Sequence, residues 1–80
     1  MTTQKAVALR ISELLIKNNM SQYALSVNSG LTKQAISNII NEKYTSIKLD
    51  TIIKISDAFH ITFQEFFNSN VFERTKFDIN

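Results

Sequence analysis

A small all-α fold of five short helices is what this 80-residue sequence predicts, and three observations carry that expectation. Apolar residues recur at three- and four-residue intervals along each segment, the spacing of a helix face. Proline is absent and Gly30 is the only glycine, so nothing breaks a helix from within and a single turn is marked. Ser21, Thr32 and Thr62 each stand just before an apolar-periodic run, where a helix needs a side-chain cap.

The first helix is expected to begin near Thr3, to turn Val7, Ile11, Leu14 and Leu15 inward, and to end at the turn formers Asn18 and Asn19. Ser21 caps the second helix, whose inward residues are Ala24 and Leu25, and Gly30 supplies the left-handed or otherwise permissive conformation that its end requires. Thr32 caps the third, which is placed from Thr32 to Glu42. A polar loop runs to Lys48. Leu49, Ile52, Ile53 and Phe59 are taken as the inward stripe of the fourth helix, closed by His60 and Ile61. Thr62, Phe63, Gln64 and Glu65 have capping-box spacing and open a fifth helix through Phe66, Phe67 and Asn68, with Phe66 in the core. From Val71 to Asn80 the pattern fits an edge strand at Phe77, Asp78 and Ile79, a frayed helix, or a disordered end. Residues 1–70 are therefore expected to form the domain, and 71–80 a short tail.

The third helix is the most informative segment. Ala35, Ile36, Ile39 and Ile40 fall on one arc; Lys33, Gln34, Ser37, Asn38 and Asn41 fill the other. A face needed only for solubility favours Glu and Lys, whereas Ser and Asn are poorer helix formers. Gln and Asn carry a donor and an acceptor on one amide, which suits them to base edges.

Charge is distributed to match. Met1 to Lys48 carries Lys5, Arg10, Lys17, Lys33, Lys43 and Lys48 against Glu13 and Glu42, while the remainder carries five acids against Lys54, Arg74 and Lys76. A basic front half suits a polyanion. Five of the six phenylalanines lie beyond His60, so the rear half is built for packing. Arg10 and Lys17 are read as ordinary surface charges.

Other classes find little support. With no cysteine there is no disulfide or thiolate metal site, and His60 has no ligating companion, so no metal and no cofactor are expected. No nucleophile and base pair, carboxylate dyad or glycine-rich phosphate loop is present, so no catalytic residues are assigned and the protein is read as not an enzyme. No apolar run approaches a membrane span of about 20 residues and no signal-peptide pattern opens the chain, which points to a cytoplasmic, nucleoid-associated protein without membrane contact.

The ordered set Ser21, Gln22, Leu25, Gly30, Leu31, Thr32, Ile36, Ile39 and Lys43, followed by Leu49 to Ile55 and by Ala58, Phe59, Ile61, Thr62, Glu65, Phe66 and Phe67, resembles the phage repressor and Cro type of helix-turn-helix. That large family includes the xenobiotic-response-element-like bacterial transcriptional regulators, and the likeness covers roughly residues 5 to 68. The resemblance implies a compact repressor-like helix-turn-helix domain bound to double-stranded DNA. It implies base readout by Lys33, Gln34, Ser37 and Asn38, and phosphate contacts from Gln22, Thr32, Lys43 and Tyr44. The family commonly pairs an arginine late in the first helix with a glutamate late in the recognition helix. Leu15 and Ile40 occupy those positions here, and a paired exchange of this kind predicts that the two aliphatics meet. Ser26 stands where a core alanine is usual, and Ile47 with Lys48 where a proline or serine often starts the fourth helix.

Function is thus read as sequence-specific transcriptional regulation, repressing as a homodimer through Phe63, Phe67, Phe72 or Phe77. An alternative from another class is an antitoxin-like module that neutralises a protein partner through its aromatic C-terminal part. A helical adaptor that has lost DNA binding is a third reading.

Overall fold

The computed structural model describes residues 1–73, and among them six helices pack around one core. They are α1 (Thr3–Lys17), α2 (Gln22–Ser29), α3 (Lys33–Ile40), α4 (Leu49–Ala58), α5 (Phe63–Phe67) and α6 (Asn70–Glu73). Thr2, Ser21, Thr32 and Thr62 each accept an amide from the first turn of the helix that follows, and Glu65 returns the bond to Thr62 to complete a capping box. Lys48 opens α4 with no side-chain cap, while Ile47 packs half-buried against the core.

Three helices end in the same way. Asn19, Glu42 and His60 adopt positive φ values of 50°, 58° and 59°. The amide one residue further on bonds back five residues in each case, Met20 to the Leu15 carbonyl, Lys43 to Asn38 and Ile61 to Ser56. These are Schellman ends, here built on residues that bear a Cβ where glycine is commonest. Gly30 ends α2 at φ 76°, its amide donating to the Ser26 carbonyl.

The core is formed by Val7, Ile11 and Leu14 of α1, Leu25 of α2, Ile36 and Ile39 of α3, Ile52, Ile55 and Ala58 of α4, then Phe59 and Phe66. Fully burying residues of this size stabilises by roughly 1.5–3 kcal/mol each. Leu15 and Ile40 both pack half-buried against this core from α1 and α3, helices that lie against each other.

Four expectations are corrected. First, the inward stripe of α4 is Ile52, Ile55, Ser56 and Phe59, and Leu49 and Ile53 are instead 64% and 45% exposed. They lie beyond Ser56 on the rim of that arc. Ser56 can be buried because its hydroxyl donates to the Ile52 carbonyl at 2.8 Å. Second, the third helix stops at Ile40, not Glu42, because Glu42 turns left-handed to close the Schellman end.

Third, among the described residues there are six helices, not five: Asn70–Glu73 adds a turn, which at Glu73 agrees with the frayed-helix alternative. Phe72 is the reason, since it packs half-buried on the core with its ring centroid 5.0 Å from Phe67 and 6.3 Å from Phe66. The turn therefore straddles the expected boundary at 70. The strand reading at Phe77, Asp78 and Ile79 lies outside the described residues.

Fourth, Arg10 is no ordinary surface charge. Its Nε and Nη2 donate to the carbonyls of Phe66 and Glu65 at 2.6 and 2.7 Å, and its Nη1 pairs with Glu13 at 3.2 Å. Carbonyls in the last turn of a helix have no partner within it, and a guanidinium fork supplies two donors at once. Glu13 also accepts from the Ser69 hydroxyl at 2.8 Å, so one turn of α1 fastens both ends of the α5–α6 corner.

Candidate nucleic-acid interface

The surface around α3 is assembled by the turn that precedes it. Ser26 Oγ donates to the Leu31 carbonyl at 2.7 Å, Ser29 Oγ donates to the Ser26 carbonyl at 3.3 Å, and the Leu31 amide donates to Ser29 Oγ at 3.2 Å. These three bonds, with the left-handed Gly30, set the angle between α2 and α3. Ser26 stands half-buried at the usual alanine position, and its hydroxyl is what the turn uses.

Thr32 Oγ1 accepts from the Ala35 amide at 3.0 Å and so starts α3 at Lys33. Ile36 and Ile39 are buried and Ala35 and Ile40 half-buried, which turns the opposite arc outward. Lys33 and Gln34 are exposed; Ser37 and Asn38 are half-buried. Gln34 Nε2 donates to Asn38 Oδ1 at 2.8 Å, and Asn38 Nδ2 donates to Tyr44 Oη at 3.3 Å. Asn41 Nδ2 donates to both the carbonyl and the hydroxyl of Ser37, at 2.9 and 3.2 Å, so Ser37 is partly engaged within the helix.

Of the residues expected on phosphates, Gln22, Thr32, Lys43 and Tyr44 are all exposed. Gln22 occupies the first position of α2, where the Ser21 cap takes the Ala24 amide and leaves those of Gln22 and Tyr23 outward. Lys43 follows the Schellman end of α3, its amide held by the Asn38 carbonyl at 2.9 Å. Lys33, Gln34, Asn38 and Tyr44 share one surface, and Gln22 adjoins it through Tyr23.

Tyr23 was missed from sequence. It is 64% exposed, and Lys33 Nζ sits 5.9 Å from its ring centroid. An aromatic ring beside a cation spaces and orients the ammonium. The available signal was an aromatic in the first turn of α2, next to Gln22.

Phe63 and Phe67 are partly exposed with centroids 5.1 Å apart, and Leu49 lines a groove with Phe67. Phe72 is the half-buried member of that cluster, and Phe77 lies outside the described residues. Glu65 has a clearly displaced ionisation. The Thr62 amide donates to its carboxylate at 3.0 Å, and that bond first, then the adjacent Thr62 hydroxyl, holds its pKa below the ordinary glutamate value. Among the described residues no group of three acids or histidines could hold a metal, and no helix is long and apolar enough to cross a membrane.

The sequence model of the Cro/C1-type helix-turn-helix DNA-binding domain matches residues 10–70. The chain belongs to that family. Comparison with curated proteins and with solved structures gave no match. Within the matched residues α2 and α3, joined by the turn at Gly30, form the helix-turn-helix pair. The match runs from Arg10, the residue that fastens α5, to Asn70, where α6 begins.

Proposed function

We propose that this Cro/C1-type protein is a sequence-specific transcriptional regulator that represses as a homodimer from a palindromic operator. The single observation that carries the reading is the outward face of α3. Lys33 and Gln34 stand clear of the fold, and Asn38 borders them with its amide ordered by hydrogen bonds. Gln34 and Asn38 match adenine N6 and N7, and Lys33 matches guanine O6 and N7. Gln22, Thr32 and Lys43 take flanking phosphates, Gln22 with the first-turn amides and positive dipole end of α2.

The dimer reading is supported by apolar surface on α4 and α5. Leu49 and Ile53, one turn apart on α4, are exposed, and Phe63 and Phe67 of α5 add aromatic area. A second copy paired through this face would cover it. The body measures 32 × 23 × 20 Å, of a size to set two recognition helices about 34 Å apart, one turn of duplex. The protein would then act where the chromosome is, in the cytoplasm at the nucleoid.

Selection from a random duplex library followed by anisotropy titration tests the reading. A palindromic consensus should emerge, with affinity falling steeply in salt as about 6–10 phosphates are neutralised. Gln34→Ala should cost about 1–3 kcal/mol at one base pair, while Lys43→Ala weakens all sequences alike. Absence of any enriched sequence would refute it. A strict monomer in sedimentation, with and without operator, would remove the dimer.

A further inference from the structure

We propose that Tyr44 determines specificity: its hydroxyl fixes the side-chain amide of Asn38, so that Gln34, Asn38 and Tyr44 meet the duplex as one hydrogen-bonded unit. This rests on the DNA-binding reading above and changes the role of Tyr44 from phosphate contact to positioning residue.

The backbone brings the ring there. Glu42 at φ 58° ends α3, the Lys43 amide bonds back to the Asn38 carbonyl at 2.9 Å, and the chain folds over the last turn of the helix. Tyr44 is consequently only 38% exposed, and its ring forms one wall of a recess of about 310 Å³ also lined by Ala35, Ile39 and Ile47. From this position the hydroxyl oxygen accepts from Asn38 Nδ2 at 3.3 Å, while Asn38 Oδ1 accepts from Gln34 Nε2 at 2.8 Å.

The hydrogen-bonding inventory gives the consequence. An asparagine amide has two N–H donors and an oxygen with two lone pairs. One donor is committed to Tyr44 and one lone pair to Gln34. One donor and one acceptor remain, the two kinds of group that adenine N6 and N7 require. Reversing Asn38 alone would set its amide donors against those of Gln34; only a concerted reversal of all three groups keeps both bonds. Tyr44 and Gln34 therefore hold the reading amide in place from both sides before DNA arrives, which lowers the ordering cost of binding.

Base-preference profiles of wild type, Tyr44→Phe, Asn38→Ala and the double variant, with side-chain amide spectra of the free proteins, test this. Tyr44→Phe should shift the Asn38 NH₂ resonances in the absence of DNA. It should relax preference roughly 2- to 12-fold at the base pair that Asn38→Ala also affects, the range of one net hydrogen bond. Other positions should keep their preferences, and Tyr44→Phe should add little once Asn38 is alanine. Uniform weakening of all sequences, additive with Asn38→Ala, would overturn the proposal in favour of a phosphate contact and leave the DNA-binding reading standing. Unchanged Asn38 resonances together with an unchanged profile would overturn it equally. If wild type enriches no sequence, the underlying reading fails, and this one with it.

Discussion

Replacing Arg10 should destabilise the domain far more than removal of a surface charge. The side chain is only 13% exposed and makes two bonds shorter than 2.8 Å to the carbonyls that end α5. Hydrogen bonds to a charged donor contribute roughly 1.5–3 kcal/mol each. Two considerations reduce the sum: the Glu65 carbonyl also accepts the Asn68 amide, and bringing a guanidinium out of water costs part of the gain. Lost packing of the stem beside the Phe66 ring, 6.0 Å from Cζ to centroid, adds to it. Arg10→Ala is therefore expected to cost about 2–3 kcal/mol, a fall in Tm on the order of 10–20 °C for a domain this small. Arg10→Met keeps the stem and should recover only the packing part. Arg10→Lys cannot span two carbonyls with one ammonium and should recover less than half of the loss. Urea unfolding at an unchanged m-value is the assay. The exposed pair with Glu13 contributes at most about 1 kcal/mol, so the deficit should persist at roughly 0.5 M salt. A deficit under about 0.5 kcal/mol, or one that vanishes with salt, would refute the claim that Arg10 acts as the cap of α5.

Three further outcomes follow from the same physics. Gly30→Ala meets open space, because nothing lies within 4 Å of an added Cβ, so its cost is conformational, about 1–2 kcal/mol by thermal or urea unfolding; Glu42→Gly should relieve a similar strain at the end of α3. Glu65 is stabilised as a carboxylate by Thr62, so its folded pKa lies below the unfolded one. Its contribution is complete above the ordinary value of 4.5 and is lost as pH falls through the lowered folded value; Glu65→Gln should flatten that acid limb of a stability–pH profile. Leu15→Arg alone and Ile40→Glu alone should each destabilise by placing an unmatched charge against the core. The double variant should be more stable than the two losses summed predict, a coupling of about 0.5–3 kcal/mol in a double-mutant cycle.

Much of the geometry around α3 was legible because it is local. The cap at Thr32, the separation of Ile36 and Ile39 from Lys33 and Gln34, and the glycine after α2 are statements about residues within one or two turns, and helical periodicity transmits them directly. Local spacing did not reveal which apolar residues of α4 face inward. Leu49 and Ile53 satisfy the same intervals as Ile52 and Ile55, and the choice was made by a serine able to bond its own helix. Arg10 was misread for a related reason: its partners are 55 and 56 residues away and are backbone carbonyls, which leave no mark in side-chain pattern. The engagement of Asn38 by Tyr44 depends on a left-handed glutamate, a conformation that composition does not forecast for that residue.

By itself, then, the order of residues determined an all-helical domain, the position of its turn and the chemical character of the face that turn presents, since those depend on spacing and side-chain type alone. Tertiary packing decided how that face is ordered, how α5 is capped and which aliphatic residues remain exposed. Each of these arises where segments distant along the chain meet, with carbonyls and rings supplied from both sides.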